Sequence, residues 1–262
     1  MTEAARRAAG PAAPLVRERL IGGDVPRYAV AEWRERYGVV AGVTGRPFDL
    51  GLASAAPVGE VMARWRTFRS AEAGFPATIL GHQVHGANVA WHDDTRGWMH
   101  VDAVDGHATT VPGVLLTVTV ADCIPVYLVD PVRRAVALLH AGWRGTAAGI
   151  LGAGVSGLVR HAGSRPADIV MHAGVGICGA CYEVGSEVMA GVGVLAPGDG
   201  PWRLDLREQL VAQGRGLGIR EISVSAWCSA HDRPRFYSHR ASRGADGRMV
   251  AYLGIPDSAI PA

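Results

Sequence analysis

The chain of 262 residues contains no lysine, and all 26 of its basic side chains are arginines. Without a lysine amine no Schiff base can form with a carbonyl substrate, so this class of covalent catalysis is excluded. Four cysteines at wide, uneven spacing are too few for a disulfide scaffold and favour a reducing cytoplasm. A net charge of only +2, without a basic run, argues against a nucleic-acid partner.

Long apolar runs are also missing. The longest stretches have the length of strands and are interrupted by glycine, proline or charge, so we expect no membrane-spanning helix and no membrane partner. Residues 1–25 open on a segment rich in Ala and Arg without a continuous apolar core, which predicts a disordered N-terminal extension rather than a signal peptide. With 48% hydrophobic residues in the chain, residues 26–262 are sufficient for a single catalytic domain.

Apolar periodicity divides the chain into short strands and amphipathic helices. It predicts strands at 37–43, 77–80, 84–91, 114–120, 126–129, 135–139, 169–173 and 222–226. It predicts helices at 32–36, 58–73, 146–160, 183–189 and 206–217. Asp130-Pro131 is a turn signal that indicates an antiparallel hairpin. Because strands occur both as hairpins and separated by helices, we expect an α/β fold with mixed sheets covered by helices.

Three possible metal ligands lie where predicted strands end. Cys123 follows the run 114–120, His140 follows the run 135–139, and His85 comes shortly after the strand at 77–80. Strand ends at a sheet edge are where layered α/β proteins usually build their sites. One thiolate and two imidazoles suit a zinc ion with an open fourth position, which is a catalytic arrangement.

Two neighbours of these ligands receive different roles. His82 lies three residues before His85, so in a continuing strand the two rings would face opposite sides, and we expect His82 to be solvated or to pack. Asp122 precedes Cys123, and strand alternation turns its side chain away from the cysteine. We therefore expect Asp122 to support the ligands without binding the metal.

The segment HAGWRG at 140–145 predicts a tight turn from a strand into a helix. Its glycines allow close backbone approach, and amides at the start of a helix can hold an anion such as phosphate. Arg144 would add a bidentate contact to that anion.

Cys178 and Cys181 have CxxC spacing. A second zinc site would need another pair, and besides Cys123 only Cys228 remains. A redox motif would need a thioredoxin-like strand-to-helix context. We therefore expect these two cysteines to belong to the wall of the pocket.

The ordered blocks QVHG, ADCIPV, HAGWRG, YEVG and GRM resemble the signature blocks of the YfiH family. Members of this family have been called polyphenol oxidases (laccases), and later zinc-dependent purine nucleoside phosphorylases with adenosine deaminase activity. The resemblance runs from about residue 39 to about residue 254. It implies a layered α-β-β-α sandwich with mixed sheets and zinc as cofactor. It also implies that His85, Cys123 and His140 match the family's zinc ligands.

Part of the pocket departs from the family pattern. The family has an Asn-Arg pair in the helix before its first His block, and this Arg points into the pocket. Here the segment reads Arg64-Trp65-Arg66, so Arg64 and Arg66 are both candidates for binding substrate, and the Asn is absent. The usual Leu-Asn-Leu-Gly is Phe-Asp-Leu-Gly at 48–51. These changes bear on the substrate more than on the metal.

The resemblance implies a cytoplasmic enzyme whose partners are a nucleoside and phosphate, acting through a metal-activated water or phosphate. Several alternatives remain open. One is an amidase that removes a misincorporated amino acid from a UDP-muramic acid precursor. Another is a metal-free hydrolase in which Cys123 and His140 form a dyad similar to that of the cytotoxic necrotizing factor deamidases. Coupled-copper phenol oxidation would need several His-rich clusters. A divergent enzyme of specialised metabolism and a binding protein with a structural zinc complete the set.

Overall fold

The computed structural model describes residues 12–93 and 96–257, in which two mixed seven-stranded sheets are present. The first sheet contains, in spatial order, β2 (Arg19–Ile21), β3 (Arg27–Ala29), β4 (Val40–Thr44), β16 (Met249–Gly254), β9 (Val114–Val120), β5 (Ala77–Gly81) and β7 (Gly97–Val101). The second contains β1 (Leu15–Val16), β15 (Glu221–Ser225), β12 (Val170–Ala173), β10 (Ile124–Asp130), β11 (Ala135–Ala141), β8 (Gly106–Thr109) and β6 (Val89–His92). A separate ribbon pairs β13 (Glu183–Val184) with β14 (Trp202–Arg203).

The helices lie mostly on the outer faces of the sheets. Their bounds are α1 (Glu32–Tyr37), α2 (Val58–Ala71), α3 (Trp143–Ala147), α4 (Ile150–Ala162), α5 (Ser186–Gly191), α6 (Leu206–Gly216) and α7 (His239–Ser242), with a 3₁₀ turn at Pro166–Asp168. None of the helices in the described residues is long and apolar enough to span a membrane.

Strand alternation divides the core into three layers. In β9, Leu116 faces the second sheet and joins one buried cluster with Leu138 of β11, whereas Leu115 faces outward and packs with Trp65 of α2. Leu139 of β11 points away from the first sheet into a third cluster, which α4 and α6 cover. The expected α-β-β-α sandwich with mixed sheets is therefore confirmed.

The topology brings several crossings of the chain to one edge of the sandwich. Strands β7, β5 and β9 are parallel, so all three end at the same edge of the first sheet. From each of these ends the chain crosses to the second sheet, where it enters β8, β6 and β10. Strand β11 is antiparallel to both β8 and β10, so it ends at this edge too. We call it the crossing edge.

The expected hairpin at Asp130-Pro131 is confirmed, since β10 and β11 pair in antiparallel register from Ile124↔Ala141 to Asp130↔Ala135. An oxygen of the Asp130 carboxylate accepts hydrogen bonds from the amides of Val132 and Arg133, which fixes the turn.

Other expectations need correction. The disordered extension expected over residues 1–25 is wrong for its described part: β1 and β2 lie there, because β1 pairs with β15 and β2 with β3. Residues 1–11 lie outside the described part. The strand expected at 84–91 begins only at Val89, because the preceding residues form the crossing loop.

The helix expected at 146–160 is in fact two helices, α3 and α4. They separate at Gly149, whose φ of +83° is left-handed backbone that glycine adopts without strain. The helix expected at 183–189 begins at Ser186, after the short strand β13.

Candidate metal centre at the crossing edge

The three expected ligands meet at the crossing edge. His85 lies in the crossing from β5 to β6, Cys123 ends the crossing from β9 to β10, and His140 is the penultimate residue of β11. One ligand atom from each residue lies within 4.8 Å of the others. The rings of His85 and His140 are 4.9 Å apart and nearly perpendicular. This spacing allows a single metal ion to contact all three side chains.

Asp105 lies in the crossing from β7 to β8 and contacts two of these three residues. Its fully buried carboxylate lies 2.9 Å from Nδ1 of His140. The same carboxylate accepts hydrogen bonds from the amides of Val84, His85 and Gly86, at 3.1, 2.9 and 2.8 Å. The turn around His85 and the ring of His140 are therefore held by one carboxylate.

Such a carboxylate behind a histidine is common at metal sites, where it orients the ring and increases its basicity. With Nδ1 of His140 engaged by Asp105, the nitrogen available for a metal is Nε2. Burial opposes ionisation of Asp105, but the hydrogen bonds from His140 and the amides outweigh it and keep the pKa of this carboxyl below its usual range. The donor set and its support thus fit a metal ion.

The charges within the cluster favour a thiolate. Burial raises the pKa of Cys123, but the charge of His140 and hydrogen bonds from both histidines lower it to about 6. Burial lowers the pKa of His140, whereas the charge of Cys123 and the hydrogen bond to Asp105 raise it to about 9. The thiolate is the form that binds metals. A metal cation would take the place of the proton that Cys123 and His140 share.

Backbone geometry brings these side chains close together. His85 has a φ of +60°, a left-handed conformation that few non-glycine residues adopt. The three hydrogen bonds from backbone amides to the Asp105 carboxylate maintain it. Gly142 packs directly against the cluster. A Cβ atom at this position would lie 3.0 Å from Sγ of Cys123 and 3.3 Å from the ring of His85.

Asp122 points away from the cluster. Its carboxylate accepts one hydrogen bond from the Ser229 hydroxyl at 2.6 Å and one from the Arg240 amide at 2.6 Å. Like His85 it has left-handed backbone, with a φ of +89°. Asp122, the residue before Cys123, is therefore tied to two segments that are distant in the sequence.

The cluster lies in a cavity of about 1010 Å³. Besides the three ligands, its polar lining consists of Asp49, Ser54, His82, Gln83, His100, Thr119, His239, Asp246 and Arg248. Gln83 is fixed in place, since its amide oxygen accepts the amide and the hydroxyl of Thr119 and its NH₂ donates to the Thr119 carbonyl. His82 is exposed and lies 2.7 Å from Asp102, as expected for a solvated residue.

The arginines expected to bind substrate do not reach this lining. Arg64 donates to the Asp49 carbonyl and pairs with Glu60, and Arg66 is exposed next to the buried Trp65 of α2. Arg248 occupies that side of the cavity instead. Sequence reasoning named the block that contains Arg248 but gave this arginine no definite place.

The HAGWRG segment forms the expected turn, but α3 begins at Trp143 and has only five residues. Trp143 packs against α5, where a Cβ on Gly191 would lie 3.0 Å from its ring. Arg144 is exposed, and its guanidinium lies 4.4 Å from the centroid of the Trp143 ring. Its positive charge also acts on the Tyr182 hydroxyl, beside Cys123.

A second cluster of possible ligands corrects the interpretation of the CxxC motif. Cys178 and Cys181 meet Cys228 and His231, again with one ligand atom of each within 4.8 Å of the others. The sequence reasoning searched for a second cysteine pair and missed His231. The spacing Cys228-Ser-Ala-His231 matches that of Cys178-Gly-Ala-Cys181 and is the signal that identifies the second half of the cluster.

Comparison with known proteins supports the resemblance. The chain is 35% identical to the purine nucleoside phosphorylase SCO2081 of Streptomyces coelicolor over 228 residues, 84% of this chain and 93% of the relative. It is 36% identical to the purine nucleoside phosphorylase YlmD of Bacillus subtilis over 167 residues, 60% of each chain. It is 32% identical to the adenosine deaminase RL5 of an unidentified prokaryote over 196 residues, 68% of this chain and 74% of the relative.

The fold agrees with a solved structure, that of the hypothetical protein YfiH of Bacillus licheniformis. The two superpose with a TM-score of 0.81 at 30% sequence identity, covering 91% of this chain and 98% of the other. The family described as multi-copper polyphenol oxidoreductase laccase matches residues 33–256, which include all three crossings and both clusters. Sequence blocks, layer order and family match agree, and the chain belongs to this family.

Proposed function

We propose that this chain is a zinc-dependent enzyme of purine nucleosides, which carries out phosphorolysis and adenosine deamination in the cytoplasm within a single catalytic domain that includes β1 and β2. The observation that carries the proposal is the meeting of His85, Cys123 and His140 in the cavity, with Asp105 behind His140. Relatives named purine nucleoside phosphorylase and adenosine deaminase support the substrate class. All four thiols are unpaired, which agrees with a reducing compartment.

The donor set fits zinc better than coupled coppers. One thiolate and two imidazoles leave a fourth position open, as in catalytic zinc sites. Oxidation at several coppers needs multiple His-rich clusters. The described residues offer only this cluster and the second cluster, which contains a single histidine, His231. Bound by His85, Cys123 and His140, a zinc ion would supply Lewis-acid chemistry and lower the pKa of a bound water towards neutral pH.

The protein's own residues position the substrates. Phosphorolysis joins phosphate to the anomeric carbon of the sugar while the bond to the purine breaks, and deamination replaces the amino group at C6 by oxygen with release of ammonia. Arg248 in the lining and the exposed Arg144 beside Tyr182 are the cationic groups that we assign to phosphate. Arg64 acts indirectly, by holding the Asp49 carbonyl while Asp49 binds the Arg248 amide.

The test combines metal analysis with product analysis. Protein prepared without chelator should contain zinc, and Cys123→Ala should lose the zinc of this site while remaining folded. Zinc-loaded protein incubated with adenosine or inosine should yield inosine or free base, and phosphate should accelerate base release. His85→Ala should abolish both reactions, whereas the same change at the exposed His161 should preserve them.

The outcomes separate the alternatives. Absence of zinc from the wild-type protein would exclude the metal mechanism and favour a Cys123–His140 dyad. Turnover no greater than that of Cys123→Ala would refute the purine assignment but not the metal site. Hydrolysis of an amino acid from a UDP-muramic acid precursor under the same conditions would identify an amidase instead.

A further inference from the structure

The second cluster is not part of the lining of the cavity and has no part in the proposed reaction. Cys178 and Cys181 come from the loop after β12, and Cys228 and His231 come from the loop after β15. Cys228 is buried, both other cysteines are half-buried and His231 is exposed. The two loops are already joined by a bridge between Gly176 and Cys228 and by a hydrogen bond from the Ser229 amide to the Gly176 carbonyl.

The distances in this cluster fit four ligands around one ion. Sγ of Cys178 lies 3.5 Å from Nδ1 of His231, and Sγ of Cys181 lies 3.2 Å from Nε2 of the same ring. A tetrahedral zinc ion with ordinary bond lengths would separate two sulfurs by about 3.8 Å and a sulfur from a nitrogen by about 3.5 Å. One ion binds one ring nitrogen, so the exposed His231 side chain must turn until a single nitrogen faces the sulfurs.

The sequence spacing fits as well. Each loop contributes two ligands separated by two residues, which is a spacing typical of structural zinc sites with Cys₃His ligands. Such a spacing lets backbone amides point at the first sulfur of each turn. Around Cys228, the amide of Cys178 lies 3.3 Å from Sγ, and the amides of Ala230 and His231 also donate to it.

The loops that hold the cluster are fixed by buried charges. The Asp205 carboxylate accepts the Gly179 amide and pairs with Arg207, whose guanidinium also donates to the carbonyls of Ser225 and Trp227. The Asp232 carboxylate accepts the Cys228 amide. These contacts arrange the two turns without using any of the four ligand side chains.

We propose that Cys178, Cys181, Cys228 and His231 form a structural zinc site, separate from the site at Cys123. Four protein ligands close the coordination shell, so this ion has no open position for substrate or water. Its role is to fasten the loop after β12 to the loop after β15.

This fastening affects the cavity through two chain neighbours of the ligands. Ser229 follows Cys228 and donates to Asp122, the residue before Cys123. Tyr182 follows Cys181 and lies close enough to Cys123 for the two to influence each other electrostatically. Loss of the structural zinc should therefore weaken the contact that holds Asp122, next to Cys123, without removing any residue of the first cluster.

A disulfide or a redox pair is the competing use of these thiols. The three sulfurs are unpaired, and the loop 178–181 leads into β13 rather than into a helix, unlike a thioredoxin-like motif.

The test uses the full chain with one site removed at a time. Elemental analysis should find about two zinc ions per wild-type chain and about one in either Cys123→Ala or Cys181→Ser. The double variant should contain none. Because Cys123→Ala leaves the second cluster intact, its remaining zinc tests this proposal even if Cys181→Ser does not fold.

Cobalt substitution identifies the ligands of the remaining ion. In Cys123→Ala, bound Co²⁺ should show thiolate charge-transfer absorption from three sulfurs. His231→Cys in the same background should retain the ion and increase that absorption by about one third, since a fourth thiolate replaces the imidazole.

Other results would overturn the proposal. These are no zinc and no cobalt–thiolate absorption in folded Cys123→Ala, or a disulfide among Cys178, Cys181 and Cys228 found by alkylation and mass spectrometry in freshly prepared protein. Neither result bears on the proposed function, which depends on the zinc content of the first cluster and on the nucleoside turnover that Cys123→Ala should abolish.

Discussion

Asp105 is the residue on which the geometry of the first cluster depends most. It binds the amides on both sides of His85 and the ring of His140, so it orients one ligand through the backbone and the other through the side chain. Cys123 is the ligand that it does not contact directly. Changes at Asp105 should therefore alter the metal site without altering the ligand set.

We predict that Asp105→Asn lowers zinc affinity at the first cluster by about 10- to 100-fold, because an amide is a poorer partner for the His140 ring than a carboxylate. The measurement is competition with a chelating dye in a Cys181→Ser background, so that the first site is the one titrated. Asp102→Asn is the matched control, since Asp102 is exposed and contacts the exposed His82. Equal affinities in the two variants would contradict this role.

The sequence predicted that His85, Cys123 and His140 belong to one site, but it did not predict Asp105. His85, Cys123 and His140 each follow an apolar run, so strand ends could be recognised from the pattern. Asp105 lies in a polar stretch whose strands, β7 and β8, carry little apolar signal. His231 was missed for a different reason. A single histidine in a polar loop does not indicate a metal ligand by itself, and only its spacing to Cys228 identifies it as a candidate.

At the scale of elements, α4 packs against the second sheet at a glycine that leaves no room for a side chain. A Cβ on Gly154 would be 2.8 and 3.0 Å from the two terminal methyl groups of Leu139, which is fully buried. A Cβ on Gly157, one turn later in the same helix, would meet no neighbouring atom within 4 Å. The helix thus carries one glycine that packing requires and one that it does not.

We predict opposite effects of alanine at these two positions. Gly154→Ala should lower the free energy of unfolding by about 1–2 kcal/mol, because the added methyl group overpacks the interface with β11. Gly157→Ala should raise it by about 0.5–1 kcal/mol, because alanine loses less backbone entropy in a helix. Urea denaturation measures both. A stabilised Gly154→Ala would show that α4 can move away from the sheet at little cost.

Elements with strong apolar patterns were predicted well, and those shaped by tertiary contacts were not. Strand 114–120 was predicted to the residue, since each of its side chains is buried or β-branched. Residues 84–88 of the crossing loop were mistaken for part of a strand because Val84 favours strands locally and the true strand β6 follows at Val89. The backbone amides of Val84 and His85 instead donate hydrogen bonds to the carboxylate of Asp105, about 20 residues further along the chain, and these bonds hold the segment as a loop.

At the scale of the whole molecule, a buried histidine should make stability depend on pH. His107 is fully buried, 3.1 Å from the His92 ring, and its Nε2 atom has no hydrogen-bond partner among the described residues. Burial, aided by the charge of His92, lowers the pKa of His107 to about 3. In the unfolded chain a histidine titrates near pH 6.5, so below that pH the unfolded state binds a proton that the folded state excludes.

We therefore predict that this group's contribution to stability is complete above about pH 6.5 and falls by up to about 1.4 kcal/mol per pH unit between pH 6 and 4. His107→Gln should reduce the pH slope of the free energy of unfolding by about one proton. The same substitution at the exposed His161 is the control. An unchanged slope in His107→Gln would mean that His107 accepts a proton in the folded state.

The alternation of helices and hairpins predicted mixed sheets covered by helices, and the resemblance to the family implied the layer order, but the strand order could not be derived from the pattern. Parallel pairing of β5 with β7 and with β9 joins residues that are 20 and 37 positions apart in the sequence. Apolar runs alone do not specify such neighbours, because any buried strand satisfies the same pattern. The crossing edge, and with it the meeting of the ligands, is a property of that order.

The crossing edge also determines when during folding a metal ion can be captured. The three residues of the first cluster lie 38 and 17 residues apart along the chain. Cys123 and His140 flank the β10–β11 hairpin and come together when that hairpin forms. His85 lies in the loop that joins β5 of the first sheet to β6 of the second, and closing this longer connection costs entropy, so we expect the cluster to be complete only after the two sheets have docked. The rate at which this cluster binds metal during refolding should therefore measure how fast the two sheets reach their native arrangement.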